Sequence, residues 1–351
     1  MKNRIMILLL SLFVLTSCAS QSSDSRNLVE QPYKKREFLL GTYVQVRIFD
    51  KGKEDLLTPA FELMKRLGNE IDSNDDQNES EIDKINEASG KKAVVVNEEI
   101  FYLVKKAKEY SEESNGKFDL TIGVITQLWH IGFEDAQKPT QSEIDQALQL
   151  VNYQDVELDE QKHSVFLKKE GMKLDLGAIA KGFITDKVVE FLQKNGVTTA
   201  IVDLGGNVFV LGHSYRGADI PWTVGIQDPN KARNTEVGTL LGVNASFVTS
   251  GIYERYLKVN GEVYHHIMNP KTGYPFDNEL AGVTIVSEKS IDGDGLSTTV
   301  FALGLSEGMK YIESHKGVEA VFVTKDDKIY KTSGVEKTFE LDKGSGYFLG
   351  E

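Results

Sequence analysis

The sequence predicts an α+β fold, with mixed, largely antiparallel sheets and packed helices. Some segments alternate with a period of two and are rich in β-branched and aromatic residues, as strands are. Others repeat apolar residues at intervals of three and four, as helices do. The two kinds do not alternate regularly along the chain, as a doubly wound α/β sheet would require. The 351 residues are 40% hydrophobic and 26% charged, an ordinary globular composition that can bury a sizeable core.

The N-terminus stands outside that fold. Lys2 and Arg4 make a basic start, and Ile5–Leu15 is an apolar run broken only by Ser11. Such a run is too short to span a bilayer comfortably and fits a signal peptide. Leu15-Thr16-Ser17-Cys18 then resembles a bacterial lipobox, in which the cysteine is lipidated and begins the mature chain. Cys18 is the one cysteine in the sequence, so no other thiol would be exposed outside the cell. Ser20–Pro32 is polar and without periodicity, which reads as a tether. The expected layout is a signal peptide over 1–17, a tether over 18–34 held by lipid on Cys18, and one domain over 35–351. The expected location is the extracytoplasmic face of the cell membrane.

Along the domain, FLLGTYVQVRIF (Phe38–Phe49) alternates as a strand bent at Gly41. Leu56–Leu67 has helical spacing, Glu70–Glu81 is an acidic loop, and Glu98–Ser114 is helical with Ile100, Leu103, Val104 and Ala107 on one face. Val165–Leu176 reads as strands around Glu170-Gly171. Phe183–Lys194 reads as a helix closed by Asn195-Gly196, and Ala200–Leu211 as a buried strand interrupted by Gly205-Gly206. Strands follow at Trp222–Ile226, Phe247–Thr249, Tyr253–Val259 and Val283–Val286, then a helix at Thr298–Leu305. Val318–Thr324 and Lys328–Thr332 form a hairpin. The formal net charge of −13 gives no sign of a nucleic-acid partner, whose phosphates call for a basic face.

Five segments carry chemistry. KLDLGAIAKGFITD (Lys173–Asp186) runs from a strand end at Asp175 into a helix, with Lys181 close to its start. That is either a phosphate-binding helix start or a plain turn, and it lacks the Walker spacing. VDLGGNVFVLG places paired glycines in a strand, for a ligand or for tight packing. YHHIMNPKTGYPF offers His265 and His266 before a strong turn; adjacent strand residues face opposite sides, so one of them at most can serve a site. In GKFDLTIG, Asp119 and Thr121 suit a helix cap or a ligand. DGDGLSTT (Asp292–Thr299) has Asp294 and Thr298 four apart. If the helix begins at or just after Asp294, both point to one side near its N-terminus. A carboxylate with a hydroxyl is hard-oxygen chemistry suited to Mg²⁺, while helix capping explains the same residues without a metal.

Taken in order, LLGTYVQV, SEIDKIN, GKFDLTIGVITQLW, LDLGAIAKG, VDLGGNV, VTSGIYERY, HHIMNPKTGYP and DGLSTTVFALG resemble the ApbE-type flavin transferases, which move FMN from FAD to protein. The resemblance runs from residue 38 to 306. It implies that fold, a single catalytic unit with an FAD cleft, and FAD as substrate. It also implies Mg²⁺ (or Mn²⁺) held by Asp294, Thr298 and the Ala178 carbonyl. The implied FAD contacts are Leu40, Asn74, Asp119, Leu120, Thr121, Asp175, Lys181, His266 and Ile267. Catalysis would fall to His266 as base and Asp294 as metal ligand. The acceptors implied are exported proteins with an Asp-Gly-x-Ser/Thr-Gly-Ala-Ser/Thr motif, which would gain FMN through a phosphoester as AMP leaves. The sequence departs from the family with Leu40 in place of methionine and Asn269 in place of aspartate. Two other activities stay open: an FAD pyrophosphatase, and a flavin-binding lipoprotein without transfer chemistry.

Overall fold

The computed structural model describes residues 26–72, 79–231 and 235–350. Among them, nine strands form one sheet that follows the chain: β1 (Leu28–Leu39), β2 (Thr42–Asp50), β3 (Ala200–Leu204), β4 (Asn207–Leu211), β5 (Ala245–Gly251), β6 (Leu280–Ser287), β7 (Glu319–Thr324), β8 (Lys328–Lys331) and β9 (Phe348–Leu349). Every neighbouring pair is antiparallel except the last, which is parallel. Seven helices are described: α1 (Leu57–Ile71), α2 (Glu81–Glu87), α3 (Glu98–Glu113), α4 (Gly123–Trp129), α5 (Gln141–Leu148), α6 (Ala180–Lys194) and α7 (Ser290–Glu313). The α+β reading holds.

The sheet separates two cores. On one face Val44, Val46 and Ile48 of β2 pack with Phe61, Met64 and Leu67 of α1, Phe183 and Ile184 of α6, and Val300 and Phe301 of α7. The other face meets a three-stranded sheet of residues 222–227, 236–242 and 339–341 through Phe49, Trp222, Leu240, Phe247 and Val323. A third cluster of Ile125, Trp129, Ile144 and Met268 joins α4 and α5 to the turn after residue 265. There the Trp129 indole N–H donates to the Gly273 carbonyl at 2.8 Å and fixes the NPKTG turn.

Several boundaries differ from expectation. Phe38–Phe49 is two strands of a hairpin, turned by Leu40 and Gly41 at φ 56° and 68°. Ala200–Leu211 is likewise a hairpin, turned by Gly205 and Gly206, both at positive φ. In both cases a two-residue turn of left-handed residues matches the twist of the flanking strands. Strand β1 starts at Leu28 and pairs Tyr33 with Ile48, so residues 28–34 belong to the domain and not to the tether. In 165–176 only the first residues are strand (Ser164–Leu167). Helix α1 runs on to Ile71, into the expected acidic loop, of which residues 73–78 lie outside the described residues, as does Cys18. Helix α7 begins at Ser290, four residues before Asp294, and breaks at Gly304.

Candidate active site

The early start of α7 decides what DGDGLSTT does. The cap of this helix comes from another: Asp186 of α6 accepts the backbone N–H groups of Ser290 and Ile291 at 2.7 and 2.9 Å. Two free N–H groups at a helix start are thereby satisfied by a carboxylate over a hundred residues away in sequence. Burial pushes the Asp186 carboxyl up to about 6 against the opposing pull of those two bonds. Helix capping, the metal-free alternative for DGDGLSTT, is therefore not what its acids do. Asp292 accepts the Tyr110 hydroxyl at 2.6 Å, and burial together with this anion raises the pKa of the phenol. Asp294, one turn in and buried, is free to face a cleft.

That cleft has a volume of about 620 Å³, the size of a cofactor-scale site. Leu40, Asp119, Asp175, Ala178, Lys181, His266, Ile267, Asp294 and Thr298 all line it. These residues come from the β1–β2 turn, the loop before α4, the strand-to-helix turn into α6, the segment after residue 265 and α7. One end of the sheet thus collects residues spread over most of the chain.

The loop Asp175–Ala178 is built by local bonds. Asp175 accepts the Gly177 N–H at 2.8 Å and the Thr126 hydroxyl at 2.6 Å. In a regular helix the Gly182 N–H would close on the Ala178 carbonyl, four residues back. Here it donates to Asp294 Oδ2 at 2.8 Å, which leaves the Ala178 carbonyl without that donor on the cleft wall. Lys181 Nζ lies 3.8 Å from Asp294 Oδ1 and donates to the Gly177 carbonyl at 3.3 Å. The Thr298 hydroxyl, half-buried, makes no hydrogen bond among the described residues. Asp294, Thr298 and Ala178 therefore present a carboxylate, a hydroxyl and a carbonyl to one space. This all-oxygen set with a single carboxylate fits a hard divalent cation that leaves positions for substrate phosphates. No group of three or more His, Cys, Asp or Glu side chains suited to a metal occurs among the described residues.

His266 is half-buried in the cleft. Its backbone N–H and its ring Nδ1 both lie 3.2 Å from the Arg255 carbonyl. With Nδ1 assigned as the donor, Nε2 keeps its lone pair. Burial, and then the Arg255 guanidinium, pull its pKa down to about 3, so the ring is neutral near pH 7. His265 points the other way: it is buried, accepts the Ile267 N–H on Nδ1 at 3.2 Å, and bonds the Phe276 carbonyl through Nε2 at 2.8 Å. Of the two histidines only His266 lines the cleft.

Not every expected contact reaches the cleft as a free group. Asp119 lies at its edge, but both carboxylate oxygens are taken, one by the Thr121 N–H and hydroxyl and the other by the Tyr153 N–H. Burial raises its pKa while these bonds oppose the shift. Leu120 and Thr121 are wholly buried and do not line the cleft. Thr121 also accepts the Asn152 N–H at 2.8 Å, so the segment serves to shape the wall. Asn74 lies outside the described residues. Sequence reasoning missed Phe118, His130, Phe133 and Arg255, which also line the cleft. His130 stacks on Phe133 with centroids 4.0 Å apart. For His130 and Phe133 the signal is the WHIGF run, an aromatic pair close to a glycine; Phe118 and Arg255 lie in the segments GKFDLTIGVITQLW and VTSGIYERY.

Comparison with known proteins follows the same residues. A family model described as the ApbE family matches residues 40–322. An FAD:protein FMN transferase of Klebsiella pneumoniae is 38% identical over 313 residues, which is 89% of this chain and 96% of the relative. One of Treponema pallidum is 33% identical over 341 residues, 93% of each. The crystal structure of the ApbE protein of Thermotoga maritima superposes with a TM-score of 0.79 at 30% identity, covering 87% of this chain and 98% of that one. A flavin transferase ApbE of Vibrio cholerae shares the fold with a TM-score of 0.76 at 22% identity, over 88% of this chain and 99% of that one. By the span of the family model and the identity of these relatives, this chain belongs to the ApbE family.

Proposed function

We propose that this protein moves the FMN half of FAD onto a threonine or serine hydroxyl of an exported acceptor protein and releases AMP. The family membership supports the coarser statement: the protein is an enzyme, a flavin transferase of the FAD:protein FMN kind, with FAD as substrate. The finer reading rests on one observation. Asp294, Thr298 and the Ala178 carbonyl converge in a single cleft with Lys181 and the neutral His266.

A divalent cation, Mg²⁺ or Mn²⁺, held by Asp294, Thr298 and Ala178 would neutralise pyrophosphate charge as the bond to AMP breaks. Lys181 adds a fixed positive charge beside that position. Leu40, Phe118 and Ile267 offer apolar wall to the flavin or adenine ring. The acceptor oxygen forms a bond to the FMN phosphorus, the bond from that phosphorus to the AMP oxygen breaks, and the hydroxyl proton passes to His266 Nε2. A pKa of about 3 makes His266 a weak base in the free protein. Entry of an anionic substrate beside Arg255 offsets that cation and raises the basicity of the ring.

We place the protein on the extracytoplasmic face of the membrane, held by lipid on Cys18. Its partners would be exported proteins with the Asp-Gly-x-Ser/Thr-Gly-Ala-Ser/Thr motif. The N-terminal apolar run and lipobox support this; among the described residues no helix is long and apolar enough to cross a membrane.

The test is intact-mass measurement of an acceptor fragment incubated with the soluble protein, FAD and Mg²⁺. A gain of one FMN is expected. FAD split to FMN and AMP with an unmodified acceptor would replace this reading by an FAD pyrophosphatase. Intact FAD and an unmodified acceptor would count against catalysis of either kind.

A further inference from the structure

Arg255 has no role in the reading above beyond its carbonyl and its effect on His266, yet its side chain lies in the cleft. It passes between two glycines that also line that space. A Cβ on Gly41, at the β1–β2 turn, would lie 3.1 Å from Arg255 Nη2. A Cβ on Gly132 would lie 2.8 Å from Arg255 Cδ. Both glycines adopt positive φ, 68° and 104°, and neither has a side chain to crowd the arginine.

The guanidinium is also unlike its counterparts. The chain carries 53 acidic residues against 40 basic ones, so a surface arginine meets a carboxylate easily. Arg66 pairs with both Glu70 and Glu99. Among the described residues Arg255 has no carboxylate partner. It is a planar, permanently charged donor directed along a cleft that also holds Lys181, and such a fork matches phosphate oxygens.

Resting on the flavin-transferase reading, we infer that Arg255 binds the pyrophosphate of the dinucleotide substrate, as a second cation besides Lys181. The segment Ser250–Arg255 thereby acquires a binding function. The neighbouring His266 would be fixed by the same residue that grips the phosphates, since the Arg255 carbonyl holds its ring and backbone.

The test is equilibrium binding of FAD to the soluble protein without added divalent cation, followed by tryptophan quenching at low and high salt. Arg255→Gln and Arg255→Lys are compared with the wild type. Arg255→Gln should raise the Kd about tenfold and flatten its dependence on ionic strength, because one charge–phosphate contact is gone. Arg255→Lys should keep the salt dependence and lose only a few-fold in affinity. Equal losses in both variants with unchanged salt dependence would mean that Arg255 only packs the wall, and the assignment would fall. Wild-type affinity in Arg255→Gln would also overturn it. If the wild type itself takes up no FAD, the flavin-transferase reading falls first and takes this assignment with it.

Discussion

Gly182 donates its backbone N–H to the Asp294 carboxylate across the contact between α6 and α7. The bond orients the one carboxylate of the candidate metal site and withdraws from Ala178 the donor its carbonyl would have in a regular helix. It requires the two helices to meet backbone to backbone. A Cβ on Gly182 would lie 2.4 Å from the Ser290 carbonyl oxygen and 2.7 Å from the Ile291 Cα. Both are main-chain atoms of residues whose N–H groups are bonded to Asp186, so they cannot yield cheaply.

Gly182→Ala should therefore damage stability and activity together. In a helix interior alanine is normally better than glycine by roughly 1 kcal/mol. Here that gain is outweighed by overpacking against main chain, typically about 1–3 kcal/mol. Urea unfolding should show a net loss, and FMN transfer should fall with it. A neutral or stabilised variant would contradict the close approach of the two helices.

Asp294→Ala removes the carboxylate of the candidate metal site and the acceptor of the Gly182 N–H. Transfer should fall by about a hundredfold or more, the scale of losing one charge-stabilising group. A thermal shift separates this from general damage. Mg²⁺ with FAD should raise the melting temperature of the wild type through binding linkage and leave that of the variant unmoved. Asp292→Asn, which changes an acid bonded to Tyr110 and not part of the cleft lining, should keep the Mg²⁺ response. Loss of that response in Asp292→Asn would show that the two acids had been assigned the wrong way round.

Much of this was legible in the sequence. The segment DLGAIAKG suggests a helix start and DGDGLSTT a candidate pair of oxygen ligands, and residues of both line the cleft. The start of α7 was misplaced because its cap, Asp186, comes from another helix, and no local pattern encodes such a bond. The FDLT segment stands out in the sequence, but the side chains of Asp119 and Thr121 bond within the protein. Spacing alone does not reveal which way a loop turns its polar groups. In the sequence the β1–β2 hairpin reads as one bent strand because leucine is a poor residue for left-handed backbone. Its tertiary contact with Gly68 overrides that local preference.

That contact gives a third prediction. A Cβ on Gly68 of α1 would lie 2.7 Å from Leu40 Cδ2. Leu40, at φ 56°, holds its side chain against this glycine at the edge of the cleft. The atom in the way is the end of a side chain, so Gly68→Ala should be absorbed by a shift of Leu40, with stability changed by only about 1 kcal/mol. The displaced leucine then stands elsewhere along the cleft, and the Kd for FAD should rise several-fold. Unchanged FAD affinity would remove Leu40 from the substrate contacts.

Membrane attachment can be separated from catalysis. Under the proposed lipidation of Cys18, Cys18→Ser should move the protein from the detergent phase to the aqueous phase in phase partitioning, since acyl chains would supply the membrane affinity. Transfer to a soluble acceptor fragment should continue at the wild-type rate. Retention of the variant in the detergent phase would point to another anchor.

His266 makes a signed prediction about pH. Its folded-state pKa, about 3, lies below the ordinary histidine value of 6.5 because of burial and the neighbouring Arg255 cation. Between those two values the unfolded chain binds the proton and the folded protein does not. Stability contributed by the neutral ring is thus fully present above about pH 6.5 and is lost as pH falls toward 3. Asp186 acts in the opposite sense: its raised pKa, about 6 against 3.8, means that the folded state holds the extra proton, and its contribution declines as pH rises through that interval. Comparing His266→Gln with the wild type isolates the histidine, since Asp186 is common to both. The wild type should gain stability relative to the variant as pH rises from about 3 to 6.5, and the difference should be flat above that. NMR of the His266 ring should find it neutral at pH 5 in the free protein. A ring protonated at pH 5 would show that the cleft does not depress this group, and the neutral acceptor assigned to Nε2 would have to be abandoned.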